Sequence, residues 1–103
     1  MSALRYEDLD DRREPRWQLR LPVTVRTPDL DRRPAVLIEL STLGCRLELA
    51  TLSAPGAMFL LSLPGLAPRA ARLAWTDGYC SGFAFEAPLH IAVVDHLVRT
   101  NPA

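Results

Sequence analysis

The sequence predicts a mainly all-β protein: a six-stranded antiparallel β-barrel with a C-terminal α-helix and a flexible N-terminal arm. Three observations predict it. Apolar and polar residues alternate in short runs, the mark of half-buried strands. Turn-forming residues separate these runs at regular intervals, as in small barrels. Helical spacing emerges only near the C-terminus. At 103 residues the chain is one domain's worth and can bury a modest core. Its 49% hydrophobic content excludes disorder throughout.

Residues 1–16 read as an exposed, charged arm with Pro15 near its end, in which Glu7, Asp8, Asp10 and Asp11 fit a short helical turn. Residues 17–103 read as the barrel and its helix. Leu19, Leu21, Val23 and Val25 alternate with Arg20, Pro22, Thr24 and Arg26, giving a first strand. Pro22 marks that strand as an edge or as irregular there, because proline has no N–H for a ladder. Thr27 to Pro34 reads as a turn. Ala35 to Leu40 is the second strand, Cys45 to Leu49 the third, and Met58 to Leu63 the fourth. Arg69 to Trp75 and Tyr79 to Phe85 form the last two strands, joined by Thr76-Asp77-Gly78 with its Asp-Gly hairpin signal. Phe83 and Phe85 share a face, and Gly82 marks a bulge or a close approach of another group. Ile91, Val94 and Val98 recur at helical spacing with Leu97 beside them, so His90 to Thr100 reads as an amphipathic helix able to cover an open barrel end.

Acidic and basic residues balance at 12 each, so net charge predicts no nucleic-acid partner. The distribution is less even. Every basic residue is arginine, and Arg5, Arg12, Arg13, Arg16, Arg20, Arg26, Arg32 and Arg33 fall in the first third. Arg12, Arg13 and Arg16 converge where the arm meets the barrel. Guanidinium groups this close repel unless water or an anion screens them. Their planar forks match phosphate oxygens in pairs and stack on purine faces. A solvated arm pairing with Asp10, Asp11 and Glu14 is the plainer reading of the same residues. Further on, Glu39-Leu40-Ser41-Thr42-Leu43-Gly44 ends a strand, offers a hydroxyl, and places a glycine where the backbone must bend. Serine can donate to a phosphate or cap the turn, and glycine permits positive φ or close approach. Taken alone, this stretch also fits an ordinary hairpin connection.

Together, Arg12-Arg13-Glu14-Pro15-Arg16 and Glu39-x-Ser41-x-x-Gly44 resemble the signature of the PilZ family: RxxxR, then, a few tens of residues on, D/N-x-S-x-x-G. Leu21-Pro22-Val23 after the arginines, Ala71 to Trp75, and Gly82-Phe83-Ala84-Phe85 are similar to the family's pattern as well. The resemblance covers Arg12 to Val98. It implies a barrel of the PilZ-like, split-barrel kind that binds cyclic di-GMP, often as a stacked pair of molecules. Carried over by position, it implies that Arg12 and Arg16 grip phosphates and stack on guanine, and that Arg13 assists. It implies that Ser41 donates to a phosphate or guanine group, and that Gly44 lets the backbone turn. Arg16 and Arg20 also fit RxxxR, but Arg20 falls within the alternating strand.

One position departs from the family pattern. Glu39 stands where the family has Asp or Asn, one methylene longer. An acceptor so displaced leaves a desolvated donor unpaired, a cost of about 1–3 kcal/mol, or roughly tenfold to hundredfold in affinity.

The remaining chemistry-bearing residues carry no site. His90 and His96 fall on different helix faces, so no metal is expected. Cys45 and Cys80 lie on strands as small core residues outside any metal or disulfide spacing. Trp75 reads as a barrel residue, and Trp17 as an anchor for the arm or a flank to a guanine. Ser41 has no histidine at a suggestive distance, so no enzyme and no cofactor is expected. The polar N-terminus and short apolar runs predict a cytoplasmic protein without membrane insertion. The expected function is therefore a bacterial second-messenger receptor that passes its signal to an unidentified effector protein. Two rivals stand beside it: a degenerate PilZ-like adaptor that binds no cyclic di-GMP, and a single-stranded nucleic-acid binder, which needs basic and aromatic residues interleaved on one face.

Overall fold

Period-two alternation gives each strand one apolar face, and an antiparallel sheet buries all such faces at once by closing on itself. The computed structural model, which describes residues 15–103, does this with β1 (Trp17–Arg26), β2 (Arg32–Leu40), β3 (Gly44–Glu48), β4 (Met58–Ser62), β5 (Arg69–Thr76) and β6 (Cys80–Phe85), followed by α1 (Ile91–Thr100). The barrel is closed in the order β1-β2-β3-β6-β5-β4, and each neighbouring pair is antiparallel. It consists of two three-stranded meanders joined at β3–β6 and at β1–β4.

Leu19, Leu21, Val23 and Val25 point inward, and the residues between them face out. Leu37, Leu40, Cys45, Leu47, Leu61 and Phe83 are fully buried. The rings of Phe59 and Phe83 meet edge to face, with centroids 5.0 Å apart and planes at 73°.

The β1–β4 seam is the shortest, confined to Thr24, Val25 and Arg26. The first half of β1, including Pro22, thus has β2 on one side only, as the missing N–H of proline requires. The register slips between Gln18 and Leu21. Beside that slip the Arg20 N–H donates to the Asn101 carbonyl at 3.0 Å, tying the end of α1 to the open side of β1.

Helix α1 starts at His90, whose side chain accepts from the Ala92 N–H at 3.0 Å. Val94 and Leu97 are buried against the barrel, and Val98 is half-buried. Ile91, expected on the packed face, is 51% exposed because it lies beside the buried stripe of Val94 and Leu97, where it lines a groove with Trp17, Asp95 and Val98.

Two other expectations need correction. The turn after β1 is shorter than Thr27 to Pro34. Thr27 and Asp31 close it through a backbone bond of 2.9 Å, with Leu30 at φ 68°, and β2 starts at Arg32. Pro34 fits inside β2 because pairing with β3 begins only at Val36, leaving the prolyl nitrogen a one-sided position. Cys80, expected in the core, is half-buried, since it opens β6 beside an exposed hairpin.

Candidate functional site

The β2–β3 connection is one tight bend held by Ser41. The Ser41 N–H donates to the Gly44 carbonyl at 2.9 Å. Its buried hydroxyl oxygen accepts from the N–H groups of Leu43 and Gly44, each at 3.1 Å, and lies 3.3 Å from the Gly44 carbonyl, to which it donates. The rest of the bend is fastened to the barrel end: Phe85 N–H donates to Leu43 C=O at 2.9 Å, and Leu89 N–H to Thr42 C=O at 2.8 Å. Gly44 is buried, opens β3 and pairs with Ala84, while positive φ among the described glycines falls at Gly56, Gly65 and Gly78. The bend is therefore a pre-set wall of backbone.

Beside it, register builds a row across the outer face of the barrel. Gln18 pairs with Glu39, Glu39 with Arg46, Arg46 with Gly82, and Gly82 with Trp75. All face outward, because their strand neighbours Leu40, Cys45 and Phe83 are buried inside. Glu39 lies between two cations: Arg16 Nη1 is 3.3 Å from Oε1, and Arg46 Nη2 is 3.8 Å from Oε2. The Glu39 side chain is 12% exposed, against 31% for Arg16 and 36% for Arg46, so the carboxylate is the recessed member. At Gly82 a β-carbon would run into the Trp75 indole, so this glycine is the notch in which the ring lies. Arg46 Nε and Trp75 Nε1, either side of that notch, are buried donors without an acceptor.

Arg16 thus meets Glu39 on the outer wall, while Ser41 and Gly44, both buried, form the bend that follows β2. Arg12 and Arg13, with the rest of residues 1–14 and the short helical turn expected there, lie outside the described residues. Arg20 is engaged elsewhere, 3.3 Å from Glu48. The sequence reading missed Arg46. Alternation places it outward, but its alignment with Glu39 depends on a register shift in β2 between Leu37 and Glu39, which no periodicity reveals. Among the described residues no group of His, Cys, Asp and Glu is arranged to hold a metal, and no helix is long and apolar enough to cross a membrane.

A closed antiparallel barrel with arginine side chains on its outer wall beside a serine-held bend defines a class of small β-barrel domain. The family comparison gives that class its name: the PilZ domain profile matches residues 10–100, and the chain belongs to the PilZ domain family. That family is in general one of cyclic di-GMP receptors, binding and adaptor modules rather than catalysts. No curated protein matches the chain.

Proposed function

We propose that this domain is a cytoplasmic receptor for cyclic di-GMP, with residues 1–16 acting as a ligand-gripping arm on the barrel of residues 17–103. The observation that carries the proposal is the Arg16–Glu39 contact of 3.3 Å, which brings the last arginine of RxxxR onto the first residue of the ExSxxG bend. Arg12, Arg13 and Arg16 supply paired donors and flat cations to phosphates and guanine. Ser41 and Gly44 shape the backbone against which the ligand rests. Ordering the arm costs conformational entropy, which charge-assisted contacts must exceed. The closed arm then offers a new surface to an effector protein.

Glu39 tunes this site. Its carboxylate occupies the guanidinium of Arg16 that a phosphate needs, so a ligand must displace it. The same observation favours a second reading, an adaptor that binds no cyclic di-GMP and acts through protein contacts alone.

Titration calorimetry of cyclic di-GMP into the native chain, Arg16→Ala and Glu39→Asp tests both readings. The native chain binds, Arg16→Ala abolishes binding, and Glu39→Asp tightens it by roughly tenfold to hundredfold as the misplaced acceptor is shortened. Absence of heat from the native chain at high micromolar ligand overturns the receptor reading and supports the adaptor. Unaltered or weaker affinity in Glu39→Asp overturns the account of that position.

A further inference from the structure

The opposite end of the β1–β2 hairpin carries a second feature, independent of the site around Glu39. Arg26 and Arg32 are direct cross-strand partners, and Arg26 also stands opposite Leu60 of β4. One step along, Thr24 pairs with Ser62. These side chains share the outer face, since the intervening Val25 and Leu61 are buried. With Pro68 they line a groove of about 310 Å³.

Like charges directly opposite on a sheet destabilise it. The other described arginines relieve their charge through carboxylates or carbonyls: Arg16, Arg20, Arg46, Arg72 and Arg99 reach acids, and Arg33 and Arg69 reach backbone oxygens. Among the described residues, Arg26 and Arg32 alone have no such partner, and they are the two that face each other across this groove. Asp29 and Asp31, in the adjoining turn, make no ion pair with either arginine.

We propose that this groove is a second anion site, for a compact phosphate-class oxyanion held between the guanidinium forks of Arg26 and Arg32, with the hydroxyls of Thr24 and Ser62 as further donors. Each guanidinium fork carries a pair of parallel N–H groups, and two forks lining one groove can together satisfy a tetrahedral oxyanion. Leu60 and Pro68 give an apolar wall for whatever carries the phosphate. Asp29 and Asp31 repel an extended polyanion crossing the turn, which excludes a nucleic-acid backbone and favours a small ion or a single phosphoryl group.

Amide NMR titration of the full chain with inorganic phosphate, and separately with phenyl phosphate, tests this, with chloride at matched ionic strength as the reference. Both phosphates give saturable shifts at Thr24, Arg26, Arg32, Leu60 and Ser62, beyond those from chloride. Tighter binding of phenyl phosphate identifies a phosphoryl group borne on a larger partner, and equal binding identifies the free ion. Arg26→Gln and Arg32→Gln each weaken binding at least about tenfold. Arg16→Ala leaves it unchanged, which separates this site from the one proposed for cyclic di-GMP. Shifts that are linear in phosphate, or equal to those from chloride, overturn the proposal even if a variant fails to fold. So does a saturable response to a short oligonucleotide without one to phosphate.

Discussion

The buried Ser41 hydroxyl accepts from two backbone N–H groups in the bend, and removing it strands the buried N–H of Gly44 and uncovers the half-buried one of Leu43. Stranding such groups costs about 1–3 kcal/mol. For a domain of this size, each kcal/mol shifts Tm by about 4–8 °C. Ser41→Ala is therefore expected to lower Tm by roughly 4–24 °C without any ligand present, as read by thermal unfolding. An unchanged Tm would show that the hydroxyl is dispensable to the bend and leave ligand contact as its purpose. Glu39 poses the complementary case. Its partners Arg16 and Arg46 are each about a third exposed, so solvent screens the ion pairs and their worth to stability is small. On the proposed reading, a change at Glu39 is expected to alter ligand binding more than folding.

Among the elements, the β5–β6 hairpin shows a short turn held by one carboxylate. Asp77 Oδ1 accepts from the N–H groups of Cys80 and Tyr79, each at 2.8 Å, and Gly78 takes φ 97° as the turn requires. Those two bonds hold the Asp77 carboxyl below its ordinary value of 3.8. Because the folded value is depressed, the stabilisation is present above the unfolded pKa and is lost as pH falls through the folded one. Denaturant unfolding at a series of acidic pH values is expected to show native stability declining below about pH 4 through this group. Asp77→Asn flattens that part of the profile, and an identical slope in the variant would remove Asp77 from the account. Helix α1 depends on its surroundings in another way. His90 caps its start, Val94 and Leu97 bind it to the barrel, and Asn101 ties its end to β1. A helix this short owes most of its stability to such packing.

For the molecule as a whole, closure leaves one short seam, where β1 and β4 share three residue pairs and the first half of β1 stays unpaired on that side. Cohesion then rests on the interior, with Phe59 and Phe83 at its centre. Phe83→Ala combines lost burial with a cavity, a cost of about 3–5 kcal/mol. Small domains have about 5–15 kcal/mol in total. Urea unfolding is expected to show the midpoint moving far down with little change in slope. A loss under about 1 kcal/mol would mean that the barrel collapses around the gap and is less tightly packed than its burial indicates.

By itself the sequence determined the strand count, the late helix and the family, because alternation, Asp-Gly and the paired motifs act over a few neighbouring residues. It also placed Gly82 as a point of close approach, since a glycine in an apolar strand marks where another group needs room. Register remained for the tertiary structure to decide. Shifts in β1, β2 and β5 displace the pairing by one residue each, and a one-residue displacement changes which side chains meet. Only after those shifts does Arg46 fall beside Glu39 and Trp75 lie over Gly82, whereas Arg26 faces Arg32 through the turn that Thr27 and Asp31 close. The first two pairs join neighbouring strands of a hairpin, but irregularities within those strands decide which residues meet, and periodic patterning does not encode them.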